Sequence, residues 1–423
     1  MSPLANSSTI LFSCAWVWGR MKKNGRKNII KRKRINERVF FMNAKIIKWV
    51  GKCLANGNGN QVLERNEIIR KLMSEIMKTL LSLHDFEQKA KMINRALIRK
   101  KLVQQLYAFN LRQGEAVVNV VKERESIPDV TKRLEESLEE TYKLYHYLLR
   151  LVVDLTEYAR RRLNAGMLKQ LPTEEDLHPN MRFVENKFAD AMRHNIALKL
   201  YLSDHEVKKG VEFSWLNLYP EVLKDIYTKL TESDLYKEYM SKETVTWEDD
   251  RELWRSVMRD FVLGNEELEA MMEDYSIFWT DDLEIVLSFV MKTIRRAQEE
   301  DGALITLMPK YKEEEDAEFA KDLLVKAIAE QEKARKLVAN QTKNWDVDRL
   351  SLIDMTIMQL AITEFLDFPT IPYTVTLNEY IEIAKMYSTE QAPTFINGVL
   401  DAVYKKLDKE GEVMKVKILK KEE

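Results

Sequence analysis

The chain has 423 residues, 45% of them hydrophobic and 32% charged, with 67 Lys+Arg against 68 Asp+Glu. With 12 Gly and 9 Pro it is no collagen-like, low-complexity or all-β protein, and no apolar run approaches the roughly 20 residues of a membrane-spanning helix. The near-zero net charge conceals an asymmetry. Residues 1–91 hold 19 Lys+Arg and 6 Asp+Glu, a net of +13, which leaves 48 against 62, a net of −14, for residues 92–423.

Both cysteines, Cys14 and Cys53, fall in the basic segment 1–91, so a disulfide framework, a thiolate zinc site and a catalytic thiol are excluded beyond it. A reducing cytoplasm is the expected compartment. The short apolar run 11–18 is followed, not preceded, by Arg20, Lys22 and Lys23, the reverse of a secretory signal. Lys31–Arg34 is a weak nucleic-acid signal, Asn56–Asn60 is turn chemistry, and residues 62–83 fit one amphipathic helix. Two readings of 1–91 stand: a disordered basic arm, or upstream sequence outside the working protein, with Met42 or Met92 as the start; the second is preferred.

From Met92 the pattern is helical throughout. Over 94–110, Ile98, Leu102, Leu106 and Phe109 form an apolar stripe, with Arg95 and Arg99 on its margin and Lys100 and Lys101 flanking it. The middle section predicts helices over about 134–163, 182–202, 220–240, 248–273 and 281–298, whose aromatics (Tyr142, Tyr145, Tyr147, Trp215, Trp247, Trp254, Trp279) read as core. Further helices are predicted over 318–343 and 347–367. Pro369 and Pro372 enforce a loop, and Thr376–Glu379 has the form of a capping box. The last helix starts near Pro393. Gly398 inside it, at a cost of roughly 1 kcal/mol against Ala, points to close approach by another helix or by a partner.

Enzymatic signals are missing. Residues 92–423 contain no GxGxxG, GxxxxGK[ST] or GxSxG, and the five histidines show no metal-ligand spacing. The expectation is a non-enzyme with no cofactor and no metal.

The last 80 residues carry the specific signal. In order come Asn344-Trp-Asp-Val-Asp-Arg-Leu350, Asp354, Ala361-Ile-Thr-Glu364, Ile371-Pro-Tyr373, Asn378-Glu379, Ile383-Ala-Lys385 and Phe395-Ile-Asn-Gly-Val-Leu-Asp401. This series resembles the C-terminal part of the NusB family of bacterial transcription antitermination factors. The basic turn followed by Val103-Gln104 and Leu106-Tyr107 is similar to the family's first helix.

The resemblance implies an all-α fold: a NusB-like helical bundle with a large inserted helical region. Its parts are a basic extension (1–91), the first NusB-like helix (92–111), the insertion (112–317), the C-terminal bundle (318–408) and a charged tail (409–423). It further implies binding of boxA-type single-stranded RNA in ribosomal RNA leaders together with NusE, a small-subunit ribosomal protein, within a complex of NusA, NusG and RNA polymerase, and no membrane. Arg95, Arg99, Lys100 and Lys101 would supply cations to the phosphates and Phe395 would stack a base, while Tyr107 and Asp354 match positions on the NusE-facing side. Thr394 and Met355 stand where relatives often carry a basic residue, which lowers the expected intrinsic RNA affinity. An RNA methyltransferase carrying such a domain is excluded by the missing cysteine and Gly-rich turn. The alternative is a helical scaffold that binds only protein, consistent with the net negative charge after Met92.

Overall fold

Helix starts in this chain are set by short polar side chains that satisfy free backbone N–H groups. In the computed structural model, which describes residues 92–117, 125–208, 210–311, 314–341, 350–413 and 415, Asn94 Oδ1 accepts from the N–H of Leu97 (2.9 Å) and opens α1, Arg95–Val117. The basic segment 1–91, its expected helix over 62–83, and the motif residues 344–349 lie outside the described residues. The long α2, Ile127–Met167, starts in a Ser126/Asp129 capping box with Pro128 in its first turn. That box places the start seven residues ahead of the predicted 134.

The middle section continues as α3 (Glu174–Leu177), α4 (Lys187–His194), α5 (Ile196–Asp204), α6 (Trp215–Leu218), α7 (Pro220–Glu232), α8 (Asp234–Ser241), α9 (Trp247–Val257, extended by a π turn over Met258–Val262), α10 (Glu266–Tyr275) and α11 (Leu283–Arg296). The single helices predicted over 182–202, 220–240 and 248–273 are each broken. Asn195, Ser233 and Asn265 accept from the N–H groups of Leu198 (2.9 Å), Tyr236 (3.2 Å) and Leu268 (3.0 Å), each capping the start of a new helix. Then follow α12 (Glu314–Ala329), α13 (Gln331–Gln341), α14 (Leu352–Asp367), α15 (Tyr373–Tyr387) and α16 (Ala392–Glu410). The fold is all-α; among the described residues, extended pairing is limited to two isolated bridges, one of them Ile93–Tyr311.

Two apolar cores result. The first joins α1, α12, α13, α14, α15 and α16 through residues such as Ile98, Leu102, Leu324, Ile357, Leu360 and Leu400. The second belongs to the middle section and buries Trp215, Trp254 and Trp279 completely. Each indole N–H finds an acceptor there: Tyr147 O (2.6 Å), Asn186 Oδ1 (3.0 Å) and Glu140 O (3.0 Å) respectively, as buried polar groups must. α2 belongs to both cores. Val130, Leu134 and Leu138 lie in the first, and Leu144 through Ala159 in the second. Met92 and Ile93 mark the same junction, since Met92 packs in the second core and Ile93 in the first, while their N–H groups donate to Pro309 O (3.3 Å) and Lys310 O (2.8 Å).

Two sequence expectations change here. Thr376 does not open a helix: α15 starts directly after Pro372, and the Thr376 hydroxyl, buried one turn inside, donates to Glu364 Oε1 (2.7 Å). Gly398 is exposed, and a Cβ added there would meet nothing within 4 Å, so no described helix of this chain approaches it. Gly398→Ala is therefore expected to stabilise the isolated protein by roughly 1 kcal/mol, the helix-propensity difference. Urea unfolding followed by circular dichroism would measure it, and a loss of stability would show that the glycine relieves an internal contact.

Candidate nucleic-acid and protein interface

The first two turns of α1 carry four cations, and the structure sends them in two directions. Arg95 and Arg99 flank the Phe319 ring, with guanidinium carbons 4.8 and 5.5 Å from its centroid, a geometry in which the ring face attracts the cation. Arg95 keeps 38% of its side chain exposed while its Nε donates to Asp316 Oδ1 at 3.1 Å. Arg99 is buried and bidentate: Nε and Nη2 donate to the two oxygens of Glu364, both at 2.8 Å. Burial works to lower the pKa of Arg99, but the hydrogen-bonded Glu364 outweighs it and holds the group above its ordinary value. Tyr380, pushed well up by burial and by the same carboxylate, donates to Glu364 Oε2 at 3.4 Å.

Lys100 and Lys101 turn the other way, onto the segment Phe278–Asp282. Lys100 Nζ donates to Asp281 O (2.6 Å) and Lys101 Nζ to Phe278 O (2.9 Å). Lys101 also pairs with Asp282 Oδ2 at 2.6 Å, both side chains fully buried, and Thr141 adds a hydrogen bond to the same oxygen. Burial lowers the Lys101 pKa. All four cations have internal partners; Arg99, Lys100 and Lys101 are buried with theirs, and Arg95, paired with Asp316, is the one that keeps a substantial solvent face. It borders a groove of about 360 Å³ whose walls include Arg99, Ile371, Val375 and Glu379.

Phe395 lies half-buried on α16 against the first core, with Thr394 exposed beside it. Met355 packs partly buried on that core, so the position serves packing here. Tyr107 is half-buried on α1, and Asp354 sits in the first turn of α14 accepting from Ser388 Oγ (2.5 Å). A chain of hydrogen bonds brings their surroundings together. Tyr387, next to Ser388, accepts from Gln104 Nε2 (2.8 Å), one turn before Tyr107, and donates to Asp281 Oδ2 (3.0 Å), which Gln104 also contacts (2.9 Å).

Sequence reasoning quoted Glu364 and Gln104 within the family motifs but gave them no role, and it did not single out Asp281 or Tyr387. For Glu364 a signal existed: a carboxylate inside the apolar run from Ile357 to Phe365 requires a buried cation. Among the described residues no cluster of three or more potential metal ligands occurs, and no described helix is long and apolar enough to cross a membrane.

Comparison with known proteins locates this architecture. The NusB family model matches residues 283–405, starting at the first residue of α11 and so within the stretch read from sequence as insertion. The transcription antitermination protein NusB of Salinibacter ruber is 35% identical over 132 residues, covering 30% of this chain and 82% of that protein. Those of Finegoldia magna and Koribacter versatilis are 37% and 40% identical, over 66% and 67% of their lengths and 22% and 23% of this chain. A solved structure of T. maritima NusB is 28% identical, covers 36% of this chain and 91% of its own, and superposes with a TM-score of 0.22.

Proposed function

Because the chain belongs to the NusB family, we propose that it is a non-enzymatic transcription antitermination factor that binds boxA-type single-stranded RNA of ribosomal RNA leaders together with NusE. In this reading it works in the cytoplasm, in a complex with NusA, NusG and RNA polymerase. The observation that carries the RNA half is Arg95, a cation held over Phe319 at the N-terminus of α1, paired through Nε with Asp316 and with over a third of its side chain in solvent. A helix N-terminus with an adjacent guanidinium favours a phosphate. Phe395 supplies the stacking surface that single-stranded RNA uses. Arg99, Lys100 and Lys101 serve the RNA by fixing α1 in place, and Tyr107 and Asp354 take the protein partner.

Few phosphate contacts mean weak salt dependence. One or two contacts give a slope of log K against log salt of about −0.7 to −1.4 for a single strand. The test is fluorescence anisotropy of the full chain with a boxA-type RNA and a scrambled control, with and without NusE. Selective binding that tightens with NusE and weakens several-fold in Arg95→Ala is expected. Arg99→Ala is the wrong probe, since it strands a buried carboxylate. The internal pairing of Arg99 and Lys101 favours the second reading, a protein-only scaffold, and it is the one that stands if no RNA signal appears at low salt in either condition.

A further inference from the structure

The hydrogen-bonded belt formed by Gln104, Asp281 and Tyr387, running on through Ser388 to Asp354, joins four segments far apart in sequence: α1, the turn before α11, the end of α15 and the start of α14. The turn is rigidly held. Trp279 is fully buried with its indole N–H on Glu140 O, and the carbonyls of Phe278 and Asp281 accept from Lys101 and Lys100. Ile277, next to these anchors, is nevertheless 82% exposed. The other segments of the belt each present an apolar side chain as well: Leu111 on α1 (43% exposed), Leu352 on α14 (37%) and Met386 on α15 (60%). Leu111 follows Gln104 by seven residues and Tyr107 by four, so the three share a helix face. A single exposed apolar residue needs no explanation, but here each segment that the hydrogen-bonded belt ties together carries one.

We infer that the turn Ser276–Asp282 extends the protein-partner face, and that the partner meets it with a basic surface carrying an apolar contact for Ile277. This rests on the reading above, in which Tyr107 and Asp354 face that partner. Charge decides the class of occupant. Asp281 and Asp354 present carboxylates along the belt, and the stretch from Asp260 to Met291 contains nine Asp/Glu and no Lys or Arg. Asp260 is paired with Arg259 and Asp282 is buried with Lys101, so the exposed carboxylate of Asp281 is the charge the turn itself presents, and it attracts a basic protein and repels an RNA backbone. The preformed turn keeps the ordering cost of binding low.

The experiment is calorimetric titration of the full chain with NusE, comparing wild type, Ile277→Asp, Asp281→Lys and Asp281→Asn, with NusE-free RNA anisotropy alongside. Asp281→Asn keeps an acceptor for Gln104 and Tyr387 and removes only the charge, so a loss shared by both Asp281 variants is not a folding failure. Ile277→Asp and Asp281→Lys are each expected to raise the Kd for NusE by about tenfold or more, as central interface residues do, and Asp281→Asn by less. Affinity for RNA alone should stay within about twofold, because the turn lies off the phosphate-binding end of α1. Equal NusE affinity in all four chains overturns the inference and leaves the function reading intact. A wild-type chain that does not bind NusE overturns the partner half of that reading and the inference with it.

Discussion

Replacing Glu364 by alanine is expected to lower the stability of the protein by about 3–5 kcal/mol, the usual cost of breaking a buried ion pair from one side. The carboxylate has no solvent exposure and accepts two hydrogen bonds from Arg99, one from Thr376 and one from Tyr380. Its removal leaves a guanidinium in the first core whose remaining counter-charge, Glu379, lies 3.8 Å away and is partly solvated. The pair Arg99→Met/Glu364→Leu should recover part of the loss, since two apolar groups restore packing without an unpaired charge but leave the buried Thr376 and Tyr380 hydroxyls without this acceptor. Urea unfolding of the three chains, read by circular dichroism, checks both parts. A loss under about 1 kcal/mol in Glu364→Ala would mean that the pair is worth no more than a surface one.

The second large effect is expected at Lys101→Met, again about 3 kcal/mol or more. Its partner Asp282 is fully buried and, without the ammonium, keeps the Thr141 hydroxyl as its remaining hydrogen-bond donor. Its other oxygen, Oδ1, has no hydrogen-bond partner even in the intact protein. This pair ties α1 of the first core to the start of α11 in the second, so the variant should also loosen the turn that carries Asp281. Amide hydrogen exchange provides the separate readout: faster exchange at residues 276–284 in Lys101→Met, and unchanged exchange there in Glu364→Ala. Equal protection in both variants would contradict that local role.

What sequence reading could and could not reach follows from distance along the chain. The stripe of Ile98, Leu102, Leu106 and Phe109 was visible because a helix repeats its buried face every three or four residues. All four are buried as that spacing requires. The partner of Arg99 lies 265 residues away and that of Gln104 177 residues away, and no local pattern encodes such pairings. So the four cations of α1 looked equivalent in sequence, while the fold pairs all four and buries Arg99, Lys100 and Lys101 with their partners. Helix breaks were missed for another reason. Asn195 and Ser233 cap new helices while the apolar period runs on across them, so hydrophobicity alone reads one helix where there are two. Thr376 shows the converse, a capping-box pattern whose hydroxyl is used across the core by Glu364.

α2 makes the middle section something other than a cassette that can be lifted out. Its first turns supply Val130, Leu134 and Leu138 to the same core as α1 and α14, while the rest of this 41-residue helix is the spine of the aromatic core. A shortened chain that joined residue 111 to residue 318 would keep most of the helices resembling the family and still lack part of their floor. The smallest self-sufficient version must retain residues 127–140, or replace their apolar face with something of equal volume, and must also keep the partners of Lys100 and Lys101 in residues 278–282 or replace both lysines. Shortening this chain therefore calls for a rebuilt core and not a simple excision.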